Sequence, residues 1–294
     1  MTAKHLGIQL NQALHSHPTL AILTPLQVQT LEQHNKAVAV RLSDGQHLTC
    51  KLLVGADGQF STIRQLLGLS SWQREYQQTA ITTNVIPERA HQNWAYERFT
   101  ENGPLALLPM SEGRCSLVWT VQSGEEKALL ECDEQQFTEQ LQQAFGYRLG
   151  YFQKVGQRSS YSLGLMQTHQ PVQQRVVLIG NAAHSLHPIA GQGFNLGLRD
   201  AAVLAELIAL HPEDCGHPQV LHDYADWQQQ DQDKVIRATD FLVKTFSNNA
   251  FLLGHGRSLS LALLNGLPSV KSRLAKTSMG LSGKQSKLSR GLPL

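Results

Sequence analysis

Two glycine-punctuated segments carry the residue types and spacings best suited to chemistry, one beginning near Asp57 and the other running from Arg175 to Asp200. In the second, Val176-Val-Leu-Ile179 is a short apolar, β-branched run that predicts a strand buried on both faces. A sharp turn at Gly180 follows, then a loop from Asn181 through His184, His187, Pro188 and Gly191, then a helix carrying Ala201, Ala202, Val203, Leu204, Leu207 and Ile208. Gly191 and Gly193 have no Cβ, so a ligand can come close to the backbone there. The free N–H groups of the first helical turn, around Gly193, Phe194 and Asn195, favour an electron-rich or anionic group.

The first segment reads Leu52-Leu-Val-Gly-Ala-Asp57-Gly58-Gln-Phe-Ser61-Thr-Ile-Arg64. It predicts a buried strand, a turn at Asp57-Gly58 and a helix entered at Ser61, whose hydroxyl can cap free N–H groups. Alone, Asp-Gly after a strand marks only a turn. No Gly-x-Gly-x-x-Gly occurs in the chain. The nearest match, Gly191-x-Gly193-x-x-x-Gly197, is not a dinucleotide fingerprint, because it does not sit directly at the end of a strand.

Composition excludes other chemistries. A formal net charge of +2 gives no bulk argument for nucleic acid. The four cysteines, Cys50, Cys115, Cys132 and Cys215, lie far apart, which argues against zinc or a disulfide framework and suits a reducing cytosol. Among thirteen histidines no His-x-x-x-His or His-Glu-x-x-His spacing occurs, and no metal site is expected. His184 and His187 are read as hydrogen-bonding beside the ligand or simply packing. No 18-residue apolar run is present, and no signal peptide is expected, because Met1–Leu14 lacks a continuous apolar core.

The two segments together resemble the class A FAD-dependent monooxygenases, the aromatic-hydroxylase family. There an Asp-Gly-x-x-Ser-x-x-Arg segment lies near the flavin, and a Gly-Asp-Ala-Ala-His segment followed by Pro-x-x-Gly-Gln-Gly-x-Asn holds the ribityl chain and the pyrimidine edge. The resemblance implies cofactor-binding roles for Asp57, Gly58, Arg64, Asn181, Pro188, Gly191, Gly193, Phe194 and Asn195. One position departs: Asn181 stands where most of the family has Asp, and it can accept a ribityl hydroxyl only without charge assistance. The middle region, Trp94-Ala-Tyr-Glu97-Arg98-Phe99 through Pro109 and Gly113-Arg-Cys-Ser-Leu-Val-Trp119, is similar to the ubiquinone-biosynthesis hydroxylases, of the 2-polyprenyl-6-methoxyphenol hydroxylase type.

That resemblance implies an α/β fold: an incomplete FAD-binding Rossmann-like domain, an inserted, mostly antiparallel substrate sheet, and a helical C-terminus. The expected parts are 1–71 and 171–240 for the FAD domain, 72–170 for the substrate domain, and 241–294 for a helical segment with a basic tail. An N-terminal βαβ unit of about 100 residues is expected to be missing, so weak or no FAD binding by this chain alone is expected. Implied chemistry is hydroxylation of a polyprenyl phenol: NAD(P)H reduces FAD, and the reduced flavin delivers one oxygen atom of O2 to the ring. Arg98, Leu105, Leu107 and Pro109 are candidates for the substrate pocket. For the leucines a plain core strand is an equal reading, and Arg98 can equally pair with Glu97 or Glu101. No catalytic base stands out. A flavin-free remnant acting as a scaffold subunit of a quinone-biosynthesis assembly is the alternative, and an oxidase or dehydrogenase on the same fold a weaker one.

Strands are expected at Leu20–Leu23, Val38–Leu42, His47–Lys51 and Leu52–Val54 in one small sheet, with a hairpin at Asp44-Gly45. Further strands are expected at 79–86, 95–99, 105–109 and 114–121, and one helix at 125–145. From Phe241 onward there is no Asp or Glu, and Lys244, Arg257, Lys271, Arg273, Lys276, Lys284, Lys287 and Arg290 are interspersed with leucines and phenylalanines. This suits a segment lying on an anionic membrane from the cytoplasmic side. A docked helix with a solvated tail is the other reading, and residues 282–294 are expected to be disordered.

Overall fold

The structure is a computed structural model that describes residues 3–186, 192–246, 267–278 and 284–294. The chain divides into two compact units: one takes residues 3–25 and 77–163, the other 26–76 and 164–245 together with the described residues from 267 onward.

The first unit opens with helix α1 (Ala3–Ser16). Its sheet is antiparallel, built from β5 (Ser71–Pro87), β6 (Tyr96–Thr100), β7 (Gly103–Pro109) and β8 (Cys115–Gln122), with neighbours in the order β5-β8-β7-β6 and β9 (Phe152–Val155) on the other side of β5. Alternation decides which face is buried. Ile81, Val85, Leu105, Leu107, Leu117 and Trp119 pack with Phe137, Leu141 and Phe145 of helix α4 (Glu134–Phe145). The single helix expected over 125–145 is two, α3 (Glu126–Glu131) and α4. Asp133 separates them because its carboxylate caps α4, accepting from Gln136 N at 2.8 Å.

In the second unit β1 (Val28–Gln33), β2 (Val38–Leu42) and β3 (His47–Cys50) form a three-stranded antiparallel sheet. The Asp44-Gly45 hairpin is present, with Gly45 at φ +87°. Leu20–Leu23 is not a strand; the first strand is Val28–Gln33, whose register shifts between Val28 and Thr30 and so breaks the alternation that would have revealed it. Nor does Leu52–Val54 extend this sheet. β4 (Leu53–Gly55) lies parallel to β12 (Val176–Leu178), which pairs on its other edge with β11 (Val172–Gln173). β12 is buried on both sides: Val176 and Leu178 pack toward β2 and Ile63, while Val177 packs toward Val203, Leu207 and Tyr224. Those last residues belong to α5 (Gln192–Leu210) and α6 (Pro218–Phe246).

The strands β5 and β10 (Ser159–Thr168) carry the chain between the units. Helix α7 (Pro268–Ser278) follows, exposing Leu267 before it and Val270, Lys271 and Lys276 on it. The tail expected to be disordered is instead docked at Lys284–Lys287, while 288–294 are exposed. The Lys287 amide donates to Glu206 at 2.5 Å, Lys284 Nζ sits 3.5 Å from the centre of the Trp227 ring, and Ser286 is buried. Small polar residues lack apolar anchors, but they dock where a carboxylate and an indole wait for them. Among the described residues no helix is long and apolar enough to cross a membrane.

Candidate functional site

Both glycine-punctuated segments converge inside the second unit. β4 ends at Gly55 and the chain turns through Gly58, whose φ of +84° favours glycine. The short helix α2 (Thr62–Leu66) starts at Ser61, whose Oγ accepts from Arg64 N at 3.0 Å as its spacing predicts. Asp57 reinforces that start by accepting from Ser61 Oγ at 2.5 Å and from Ile63 N at 3.1 Å. Its carboxylate is therefore spent on the turn.

Arg64 joins the two segments. Arg64 is 7% exposed, and its guanidinium donates to Ala182 O at 2.8 Å and Gln59 O at 2.6 Å. A buried cation held by carbonyls gains charge-assisted hydrogen bonds that offset its desolvation. In this arrangement Arg64 positions two loops rather than presenting itself to a ligand.

After β12 the chain turns at Gly180, with φ +56°, into a 3₁₀ turn, Gly180–Ala182, and a two-residue strand β13 (His184–Ser185) that pairs with β10. Helix α5 then crosses this turn closely: a Cβ on Gly197 would lie 3.4 Å from Gly180 Cα. The cleft left between turn and helix has a volume of about 610 Å³, and Gly58, Gly180, Asn181, Gly193, Phe194 and Leu198 are on its walls. Among the described residues nothing lies within 4 Å of where a Cβ would stand on Gly58 or Gly193. Phe194 is 63% and Leu198 53% exposed, so the mouth is apolar while the turn and the start of α5 offer backbone polar groups.

Gly58, Asn181, Gly193 and Phe194 thus share one cleft; Asn195 is exposed on the first turn of α5. Pro188 and Gly191 lie outside the described residues. Asp57 and Arg64 stand behind the cleft as supports. A concave, partly apolar site of this size with a few polar groups is an ordinary small-molecule pocket. Among the described residues no cluster of three or more His, Cys, Asp and Glu could hold a metal.

The pocket candidates on β7 fare differently. Leu105 and Leu107 have no exposed surface and pack in the core of the first unit, so for them the core-strand reading holds. Arg98 Nη1 donates to Phe145 O at 2.7 Å, capping the end of α4 instead of pairing with Glu97 or Glu101. Pro109 ends β7 half-buried. Alternation turns Ala106 and Leu108 to the opposite sheet face, where Leu108 is exposed.

Sequence reasoning missed Asp200. This residue is completely buried on α5, and one of its oxygens accepts from both Gly180 N at 2.7 Å and His184 Nε2 at 2.6 Å. Its sequence signal is a carboxylate on the same helical stripe as Leu196, Val203, Leu204 and Leu207, where an acid is costly unless it is paired.

Residues 6–239 match the family described as FAD binding domain. A ubiquinone hydroxylase of Rhodospirillum rubrum is 38% identical over 94% of this chain and 66% of its own length. The 3-demethoxyubiquinol 3-hydroxylase of Escherichia coli is 30% identical over 92% of this chain and 70% of its own length. The chain thus spans roughly two thirds of these relatives. Among solved structures, p-nitrophenol 4-monooxygenase of Pseudomonas putida shares the fold with a TM-score of 0.77 at 18% identity, covering 95% of this chain and 73% of that one.

Proposed function

The chain belongs to the FAD binding domain family, in the class of FAD-dependent monooxygenases that includes the ubiquinone-biosynthesis hydroxylases, and from that membership we propose that it is an FAD-dependent aromatic hydroxylase acting on a polyprenyl phenol. NAD(P)H is the reductant and O2 the source of the inserted oxygen. The observation that carries this reading is the cleft where Gly58 of one segment meets Asn181, Gly193 and Phe194 of the other. FAD, when bound there, supplies the electron transfer and the activation of O2. The protein's part is to bind and orient. Asn181 would accept from a ribityl hydroxyl through its side-chain carbonyl. The first-turn N–H groups of α5 at Gly193 and Phe194 would face the electron-rich edge of the ring. Asp57 and Arg64 would hold the walls of the cleft rather than touch the cofactor.

In this reading residues 26–71 and 171–240 form the flavin part and the strands within 72–170 the substrate part. The apolar tail of the phenol is assigned to the sheet face that carries Ala106 and Leu108, opposite α4. A prenylated substrate resides in a bilayer, and the exposed basic helix α7 is the assigned peripheral contact on the cytoplasmic side. A ubiquinone-biosynthesis assembly is the proposed partner.

The test is to supply the chain with FAD, NAD(P)H, a short-tailed prenyl phenol and isotopically labelled O2. The expected product has gained one labelled oxygen on the ring, with NAD(P)H consumed in proportion. Because this chain's affinity for FAD is expected to be weak, the cofactor is supplied in large excess, and a protein that under those conditions neither shifts the flavin absorption spectrum nor consumes NAD(P)H with substrate present would overturn the proposal.

A further inference from the structure

We propose that Asp200, with His184 behind it, is the positioning residue that sets the Gly180–Asn181 turn for the flavin. This rests on the flavin reading of the cleft. The Gly180 amide and the His184 imidazole both bond to Asp200 Oδ2, at 2.7 and 2.6 Å, and both side chains are wholly buried. Gly197 lies one turn earlier on α5 and brings the helix axis close enough for the bond to form.

The consequence for the cleft is directional. Because the Gly180 N–H is drawn toward α5, the left-handed turn is held from the protein side. The following 3₁₀ turn is closed by Ala183 N bonding to Gly180 O at 2.9 Å. Asn181 is left exposed between these two constraints, on the cleft wall. A neutral Asn must do by geometry what a charged residue could do by attraction, so precise placement of this turn matters more here.

The surroundings show that this carboxylate is more than a spare packing group. Among the described residues its second oxygen, Oδ1, has no hydrogen-bond partner, nor do His184 Nδ1 and the hydroxyl of fully buried Tyr224. Burial, and secondarily the charge of Asp200, push the Tyr224 phenol well above its ordinary range. A pure stability role would be better served by an apolar side chain, because half-satisfied buried polar groups destabilise. Retaining this pair makes sense where an exact backbone conformation is the product.

The experiment uses the full chain labelled with ¹⁵N-glycine, and compares wild type with Asp200→Asn and Asp200→Leu by amide spectra and FAD titration. In wild type the Gly180 amide proton is expected downfield and slow to exchange, and FAD is expected to perturb Gly58, Gly180 and Gly193. Asp200→Asn keeps an acceptor but loses the charge; its Gly180 proton moves upfield and FAD affinity falls several-fold. Asp200→Leu removes the acceptor, and affinity falls at least tenfold at retained circular dichroism. Should the leucine variant not fold, the asparagine variant decides. Unchanged Gly180 shift and unchanged FAD affinity in a folded variant would overturn the assignment. With FAD raised into large excess to meet the weak affinity expected of this chain, wild type showing no FAD-induced shift in any of the three glycines would sink the flavin reading instead, leaving the Gly180 amide to judge Asp200 alone.

Discussion

At the scale of single residues, glycine does two different jobs in this protein. Gly55 and Gly197 are packing glycines: a Cβ on Gly55 would stand 2.5 Å from Leu178 Cδ2, and one on Gly197 would press on Gly180. Gly193 faces open space within the cleft. The mutation Gly193→Val therefore separates fold from binding. Among the described residues nothing opposes the new side chain, so unfolding stability should stay within about 0.5 kcal/mol of wild type. FAD affinity should drop by more than about tenfold, or ~1.4 kcal/mol, because the valine occupies the space a ring would take. Chemical denaturation and flavin fluorescence titration measure the two. Undiminished flavin binding by a folded Gly193→Val protein would mean that the ring does not pass over the start of α5. The same residue-level view explains Arg98 and Leu105: the sequence offers a cation and an apolar strand, but only the observed partners, Phe145 O and the α4 face, say how they are used.

At the scale of elements, the loop between α5 and α6 is tied to the sheet that supports the site. Arg175, 7% exposed, donates to both carboxylate oxygens of Asp214 at 2.8 and 2.7 Å, and also to Asn35 O and Lys51 O. Those hydrogen bonds from the Arg175 guanidinium hold the Asp214 carboxyl down to about 2, against an ordinary value of 3.8. A carboxylate with a depressed folded-state pKa stabilises the fold above its unfolded pKa, and that contribution is lost as pH falls through the folded value. Urea unfolding of wild type and Asp214→Asn should thus differ fully near neutral pH, with wild type the more stable. The difference should shrink from about pH 4 toward pH 2, where wild type loses the interaction too. A difference that stays constant over that range would show that the pair does not hold the loop. Element order itself was largely legible. The hairpin at Asp44-Gly45, the buried strand at Val176 and the Ser61 helix start all rest on local chemistry. The strand at Val28 and the break at Asp133 were missed, one hidden by a register shift and the other by a cap set inside a helix-forming run.

For the whole molecule, charge is unevenly placed although the net value is small. The acid-free stretch from Phe241 includes, among the described residues, the end of α6, the tail from Lys284 and α7, which exposes Lys271 and Lys276 beside Val270. A basic residue near an anionic bilayer contributes about 1 kcal/mol, and the attraction is screened by salt. In flotation assays the protein should rise with anionic vesicles, less so at high salt and not with neutral ones. Replacing Lys271, Arg273 and Lys276 by Glu should release it without altering the melting temperature by more than a few degrees. If wild type stays at the bottom with both vesicle types, direct membrane contact is wrong, and delivery of the proposed phenol by a partner becomes the better account. The Lys284 ammonium over the Trp227 ring, beside the Lys287 backbone amide on Glu206, already shows that one charge of the basic tail serves the fold rather than a surface.

By itself the amino-acid sequence determined the two glycine-punctuated segments, the types of the elements that flank them and the family resemblance, because turns, caps and buried strands are written in neighbouring residues. Tertiary structure alone decided which of those residues meet. Gly58 and Asn181 share a cleft, Arg64 reaches Ala182, and Asp200 grasps the amide of Gly180. Those contacts join positions far apart in the chain, and their partners are chosen by how β4, β12 and α5 pack, which no local pattern encodes.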